Sequence, residues 1–245
     1  MNVDALSVAL RPRPMLEAAD LGVRLVQRHA RSVWASWLPV ALAVFAIAIA
    51  LKGVAAWLPS LVIFLAKPWL DRTLLFVFSR AAFSQPSRFA DVFANWRSVW
   101  LHQLGRTLTI DRLTLWRAFT LPVVLLEGQR GAARAARIRQ IARGRRGAAA
   151  LAFGAFVHVE AAVTLAIFSL LFWFAPPEAG ESLFNWLTTD EDSVWIGATS
   201  YALAVFIVEP FYVASGFAMY LNRRVELEAW DIEQEFRRAF VPAAA

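Results

Sequence analysis

Two long apolar stretches give the strongest indication of the fold class of this chain. Residues 148–174 read AAALAFGAFVHVEAAVTLAIFSLLFWF, and residues 194–221 read VWIGATSYALAVFIVEPFYVASGFAMYL. Both exceed the roughly 20 apolar residues that an α-helix needs to cross a bilayer. The chain has 25 lysines and arginines, but none of them lies between residues 148 and 222. These stretches therefore predict a transmembrane hairpin.

The charges around this hairpin predict its orientation. Seven arginines precede it within residues 130–146, and Arg223 and Arg224 follow it directly. The connection between the two stretches instead carries five acidic residues, which are Glu178, Glu181, Asp190, Glu191 and Asp192. Lysine and arginine collect in the cytoplasmic loops of multi-pass proteins. We therefore expect the arginine-rich parts in the cytoplasm and the acidic connection outside.

Composition supports a membrane protein and argues against several classes of enzyme. The chain is 59% hydrophobic and 18% charged, whereas soluble domains hold roughly 45–50% apolar and 25% charged residues. It has no cysteine, which excludes disulfides, zinc–thiolate sites and thiol nucleophiles. P-loop, His-Glu-x-x-His and Gly-x-Ser-x-Gly motifs do not occur, and the three histidines are scattered. We expect no enzyme activity, no metal and no cofactor.

The first half of the chain predicts a second hairpin. Residues 32–51 carry no charge and match the length of one crossing. The next segment, residues 54–83, is interrupted at Lys67-Pro68. It predicts either one kinked crossing or a re-entrant half followed by an interfacial half. Because the arginine-rich sequence after it must lie in the cytoplasm, we favour a full crossing. The protein is then all-α and polytopic, with about four transmembrane helices and both termini inside.

Five regions follow from this interpretation. They are a cytoplasmic leader with an amphipathic surface helix (1–31), a first transmembrane hairpin (32–83), a basic cytoplasmic insert (84–147), a second transmembrane hairpin with an acidic outer loop (148–221), and a cytoplasmic C-terminal helix (222–245). In the last crossing, the small residues Ala214, Ser215 and Gly216 predict close helix packing.

Arginines at the end of the insert predict a basic patch that faces anionic lipid headgroups or a partner. They are Arg130, Arg134, Arg137, Arg139, Arg143, Arg145 and Arg146. Each basic residue near an anionic bilayer surface contributes about 1 kcal/mol of attraction. Positive-inside topology and this patch account for the net charge of +6 without a nucleic-acid partner.

Ionisable residues inside the predicted crossings are the main candidate site. Glu160 and Glu209 each lie 12 residues from a cytoplasmic helix end, and Arg72 and Asp71 lie 11 and 12 residues from Phe83. At 1.5 Å per residue these positions are all about 18 Å deep, close to the bilayer centre. The complete predicted cluster is Lys67, Asp71, Arg72, His158, Glu160, Glu209 and Tyr212.

A charge at this depth costs roughly 2.5–3.5 kcal/mol unless it is paired. We therefore expect Arg72, with Lys67 as a second candidate cation, to neutralise Glu160 and Glu209. His158 and Tyr212 would hydrogen-bond nearby. Two interpretations stay open, a polar site for a proton, ion or lipid headgroup, and an ion-pair clasp that joins three helices.

Several short motifs resemble a group of proteobacterial multi-pass inner-membrane proteins whose function is unassigned. The matching motifs are Lys67-Pro68-Trp69-Leu70-Asp71-Arg72, Ser79-Arg80-Ala81-Ala82-Phe83, Leu126-Glu127-Gly128, Glu209-Pro210-Phe211-Tyr212-Val213-Ala214-Ser215-Gly216-Phe217, Tyr220-Leu221-Asn222-Arg223-Arg224 and Glu228-Ala229-Trp230-Asp231-Ile232-Glu233. Members of that group are often encoded near MoxR-type AAA+ ATPases, which implies a role in supporting an envelope complex. The chain is also distantly similar to the membrane domain of some glycerophosphodiester phosphodiesterases, but it lacks their catalytic residues.

Two functions are compatible with these observations. The first is a non-enzymatic scaffold or subunit of a membrane complex in the bacterial inner membrane, with an AAA+ ATPase system as a possible partner class. Its docking surface would combine the insert with an acidic face of the C-terminal helix, formed by Glu226, Glu228, Asp231, Glu233 and Glu235. The alternative is a transporter or channel component that uses the intramembrane cluster.

Overall fold

The computed structural model describes residues 12–85, 87–101, 114–174 and 194–228, together with residues 105, 176, 182 and 185. The described residues form eight bounded α-helices and one π-helical turn, Arg97–Leu101. The helices are α1 (Met15–Arg28), α2 (Ala30–Ala50), α3 (Leu58–Ala81), α4 (Phe89–Ala94), α5 (Arg117–Leu125), α6 (Gly131–Ala142), α7 (Arg146–Phe174) and α8 (Val194–Glu228).

Three of these helices, α2, α7 and α8, are long and apolar enough to cross a membrane. They coincide with the first, third and fourth crossings that the sequence predicts. The all-helical fold class is therefore confirmed for the described residues.

The predicted second crossing is one continuous helix. α3 has 24 residues, and Pro68 lies inside it without breaking it. Its length of about 36 Å is sufficient for a bilayer. The charged residues Lys67, Asp71 and Arg72 interrupt the apolar sequence of α3. Length and composition therefore identify α2, α7 and α8 as candidate membrane spans, but not α3. That the chain crosses the membrane four times remains a prediction.

α8 is the central helix of the fold. It packs against α1, α2, α3, α5 and α7, and most of its membrane-length part is buried. Two glycines permit the closest approaches. A Cβ on Gly22 of α1 would lie 2.3 Å from the carbonyl oxygen of Ala214, and a Cβ on Gly216 would lie 2.4 Å from the Cβ of Ala118 on α5. The predicted role of the small residues in helix packing is thus seen at both contacts.

The apolar face of α1 packs against other helices of the protein, mainly α8. Met15, Ala18, Ala19, Gly22 and Leu25 are buried, and the helix packs on α8. The side chain of Ser215 donates a hydrogen bond to the carbonyl oxygen of Ala19 at 3.0 Å. The sequence predicts this helix on the bilayer surface, but much of the face that would contact lipid is covered by α8.

The basic insert contributes a buried helix to this core. Residues 117–124 of α5 are all buried, and α5 packs along α8. The sequence places this segment in the cytoplasm because it is too short to span a bilayer. A short helix can nevertheless enter the core when its neighbours satisfy its polar groups, which is the case here.

Several sequence predictions concern segments outside the described residues. These are residues 1–11 of the leader, the acidic residues of the outer loop (Glu178, Glu181, Asp190, Glu191 and Asp192), and the C-terminal sequence from residue 229 onward.

Candidate functional site

Lys67 on α3 joins carboxylates from two other helices. Its Nζ donates a hydrogen bond to Oε2 of Glu160 on α7 at 2.5 Å. It also forms an ion pair with Oε2 of Glu209 on α8 at 2.8 Å. The three side chains are largely shielded from solvent, since Lys67 is 12%, Glu160 14% and Glu209 1% exposed. One ammonium group therefore connects α3, α7 and α8.

Arg117 on α5 forms the second bridge. Its Nε contacts Oδ2 of Asp71 on α3 at 2.7 Å, and its Nη2 contacts Oε1 of Glu209 at 3.2 Å. Its guanidinium also lies 5.5 Å from the ring centroid of Tyr212, whose hydroxyl oxygen accepts a 3.3 Å hydrogen bond from the backbone N–H of Ala118. These contacts secure the N-terminal end of α5 inside the core.

Helix geometry explains why Lys67 and Asp71 share a site. They are four residues apart on α3, so their side chains project from the same helix face. Glu160 is the central residue of α7, with 14 residues on either side of it. Because each carboxylate here has a cationic partner, the cluster avoids the several kcal/mol that an unpaired buried charge costs.

A cavity of about 160 Å³ adjoins the cluster. Its charged walls are Lys67, Arg117, Glu160 and Glu209, and its aromatic walls are Phe64, Phe153, Phe156 and Tyr212. It lies between α3 and α7, with α5 and α8 completing the walls. The cluster is therefore both paired and adjacent to open space, which combines features of the clasp and of the polar site.

The structure brings five of the seven predicted cluster residues together. They are Lys67, Asp71, Glu160, Glu209 and Tyr212. Arg72 is completely buried, but the ion pairs described for Glu160 and Glu209 run to Lys67 and Arg117. Among the contacts described here, Lys67 neutralises Glu160, and Lys67 and Arg117 together neutralise Glu209.

His158 does not join the cluster. It is exposed, and its Nδ1 contacts the carbonyl oxygen of Gly154 at 2.7 Å. Two residues along an α-helix correspond to a rotation of about 200°, so His158 projects away from the face that carries Glu160.

Arg117 was not predicted for the site because it lies in the basic insert. A signal was nevertheless present in the sequence. The predicted cluster held three acidic residues, but both cations proposed for it, Lys67 and Arg72, came from one helix. An arginine on a different helix was therefore to be expected, and Arg117 begins the short apolar segment 117–126.

The predicted basic patch is partly engaged within the protein. Arg137 contacts Glu127 at 2.7 Å and also pairs with Glu228, whereas Arg145 pairs with Glu226 at 3.0 Å. The hydrogen bonds with Glu127 and Glu228 raise the pKa of Arg137 above its ordinary value.

The other members of this patch differ in exposure. Arg134 is buried, whereas Arg130, Arg139, Arg143 and Arg146 are exposed. Arg146 also lies over the ring of Trp116, 5.3 Å from its centroid. A surface for anionic groups would therefore involve these four exposed residues.

The acidic docking face is likewise partly occupied. Glu226 pairs with Arg145 and Arg223, and Glu228 pairs with Arg137 and Arg224. The remaining members Asp231, Glu233 and Glu235 lie outside the described residues.

No metal site is assigned to the part of the chain that the structure describes, where no group of three or more His, Asp or Glu side chains is arranged to hold an ion. Comparison of the chain with family models, curated proteins and solved structures finds no match.

Proposed function

We propose that the protein is a non-enzymatic scaffold or subunit of a complex in the bacterial inner membrane. The observation that carries this proposal is the exposure of α7. This helix has 29 residues, most of them apolar. No residue is buried in the part of it that is apolar enough to cross a membrane. It packs on α8 along one side, so most of its surface is available to lipid or to another membrane helix.

His158 favours another helix over lipid on this outward surface. Its Nδ1 must donate to the Gly154 carbonyl, so Nε2 of the neutral ring is left as an acceptor. Acyl chains offer no donor, and polar groups at this depth are unfavourable in lipid. A neighbouring helix with a hydroxyl or amide donor would satisfy it, and small residues such as Ala155 and Ala162 on the same exposed surface would permit close approach.

The exposed arginines near the start of α7 support the same function. They are Arg139, Arg143 and Arg146, and they offer an electrostatic contact near the N-terminal end of α7. This contact would suit anionic headgroups or an acidic partner surface. The resemblance described above implies an AAA+ ATPase system as the class of partner.

Site-specific photo-crosslinking in native membranes tests this proposal. A benzophenone amino acid at Ala162 is expected to give a discrete protein adduct, whereas the same group at Ile47 on α2, which is 59% exposed, serves as the matched control. The captured protein should co-purify in stoichiometric amount with the wild type, and His158→Leu should weaken that association. Lipid adducts alone at Ala162, with no stoichiometric partner after purification, would overturn the proposal.

The cavity supports a second candidate function, a component of a transporter or channel. Charged walls from four helices next to open space are a feature of intramembrane transport sites. Proton or cation flux into liposomes that contain the purified protein tests this function. We expect flux that Glu160→Gln abolishes without unfolding, and equal flux in protein-free liposomes would refute it.

A further inference from the structure

We propose that the cavity binds the ammonium group of an amphipathic organic cation that enters sideways from the bilayer. This inference rests on the second candidate function and names its ligand class. Equilibrium binding is measurable without transport, so the two can fail separately.

The mouth of the cavity lies on the side of the helix bundle. Phe64 on α3 and Val157 on α7 line the cavity and are 49% and 45% exposed. Each lies about one helical turn from its charged neighbour, Lys67 or Glu160. Because Glu160 is the central residue of α7, the opening is about 21 Å from either end of that helix. A ligand at this mouth comes from among the acyl chains.

The described ion pairs favour a cationic ligand. The carboxylates that line the cavity both pair with cations, Glu160 with Lys67, and Glu209 with Lys67 and Arg117. A ligand cation that reaches Glu160 is attracted to this carboxylate in the same way as the ammonium group of Lys67.

Lys67 shows which kind of cation these carboxylates accept. Its ammonium group lies between Glu160 and Glu209, at 2.5 Å and 2.8 Å from their Oε2 atoms. A ligand ammonium that enters from the mouth meets Glu160 first, because Glu160 is the more exposed of the two acids.

The remaining walls suit an organic ammonium better than a hydrated metal ion. The rings of Phe153 and Phe156 each lie 5.8 Å from the ring of Tyr212 in edge-on arrangements, and Phe64 stands at the mouth. Aromatic faces attract organic cations, most strongly where water is excluded. Arg117 already occupies such a position on the ring of Tyr212.

Cavity size limits the ligand to a small headgroup. The volume of about 160 Å³ is below the roughly 300–1,000 Å³ of pockets that enclose drug-sized molecules. A trimethylammonium or primary ammonium group would enter, while its alkyl chain stays between α3 and α7 and in the lipid.

Calorimetric titration of the full-length protein in zwitterionic lipid nanodiscs tests this proposal. The probes are hexyltrimethylammonium and hexanesulfonate, which have the same alkyl chain and opposite charge, with empty nanodiscs as the reference. We expect saturable binding of one hexyltrimethylammonium per chain and no saturable binding of hexanesulfonate. Preference for the sulfonate, equal binding of both probes, or no binding of either would overturn the proposal.

Three variants locate the site. Glu160→Gln is expected to weaken the affinity for hexyltrimethylammonium by about tenfold or more, because it removes the accessible carboxylate. Glu17→Gln, at an exposed acid on α1, is the control and is expected to leave the affinity unchanged. Phe64→Leu keeps an apolar side chain at the exposed mouth but removes the ring, and it should weaken binding about two- to fivefold.

The Phe64 variant also covers the case in which Glu160→Gln does not fold. Unchanged affinity in Phe64→Leu, together with unchanged affinity in a folded Glu160→Gln, would place the binding elsewhere and overturn the proposal. If the cation binds as expected but no flux is seen in liposomes, transport fails and the binding site stands.

Discussion

Replacement of Arg117 by methionine removes the more deeply buried of the two bridging cations. Its side chain is 7% exposed, and its partners Asp71 and Glu209 are 0% and 1% exposed. Loss of one partner from a buried ion pair costs about 3–5 kcal/mol, because it leaves an uncompensated buried charge. For a chain of this length that corresponds to a fall of roughly 10 °C in the apparent melting temperature. Intrinsic tryptophan fluorescence of the protein in detergent can report it, since the chain has 11 tryptophans.

Two further variants separate this cause from a general loss of packing. Asp71→Asn combined with Arg117→Met removes the carboxylate together with its cation, so we expect it to recover at least half of the lost stability. Arg143→Met, at an exposed arginine, is the matched control. It should change the free energy of unfolding by no more than about 0.5 kcal/mol. If Arg117→Met is as stable as the control, or if Asp71→Asn adds to its damage, the assignment of Arg117 as a bridging cation is refuted.

Two other predictions concern packing and orientation. Gly22→Ala places a Cβ 2.3 Å from the backbone oxygen of Ala214 and is expected to cost about 1–3 kcal/mol, whereas Gly197→Ala, with open space around it, should be neutral or slightly stabilising in the same melting assay. Because the chain has no native cysteine, Arg143→Cys and Gly180→Cys can each be labelled alone with an impermeant maleimide. We expect labelling from opposite sides of the membrane, and labelling of both from one side would contradict the predicted topology.

The helices were the predictable part of this fold. Length and hydropathy are local properties, so the sequence alone identified the stretches that form α2, α7 and α8. Continuity of α3 through Lys67-Pro68 was less certain from sequence, because proline removes one backbone hydrogen bond and can end or only kink a helix.

The sequence predicted the position of the cluster residues along their helices, but not the direction in which each side chain projects. Counting residues from helix ends placed Asp71, Glu160 and Glu209 at one level, and the structure joins them through two cations. The same count also selected His158, because it ignores rotation around the helix axis. A helical projection at 100° per residue puts His158 opposite Glu160 and was sufficient to exclude it.

The position of α5 in the chain gave no indication that this helix contributes to the cluster. Its nine residues are too short to cross a bilayer, and arginines surround it in sequence. The contacts of Arg117 with Asp71 and Glu209 join residues 46 and 92 positions apart. Pairings of that kind depend on how helices pack in three dimensions, so no local pattern in the insert could identify both partners.

Exposure divides the cluster into two halves that correspond to the two interpretations of its role. Arg117, Asp71 and Glu209 are almost completely buried and join α3, α5 and α8, which suits a clasp. Arg117 and Glu209 also line the cavity, but Lys67 and Glu160 are more accessible and connect α3 to α7, which suits a site. Glu209 contacts both cations, so its substitution disturbs both halves and cannot separate the roles. Arg117→Met should therefore act mainly on stability and Glu160→Gln mainly on binding, and this contrast distinguishes a structural clasp from a ligand site.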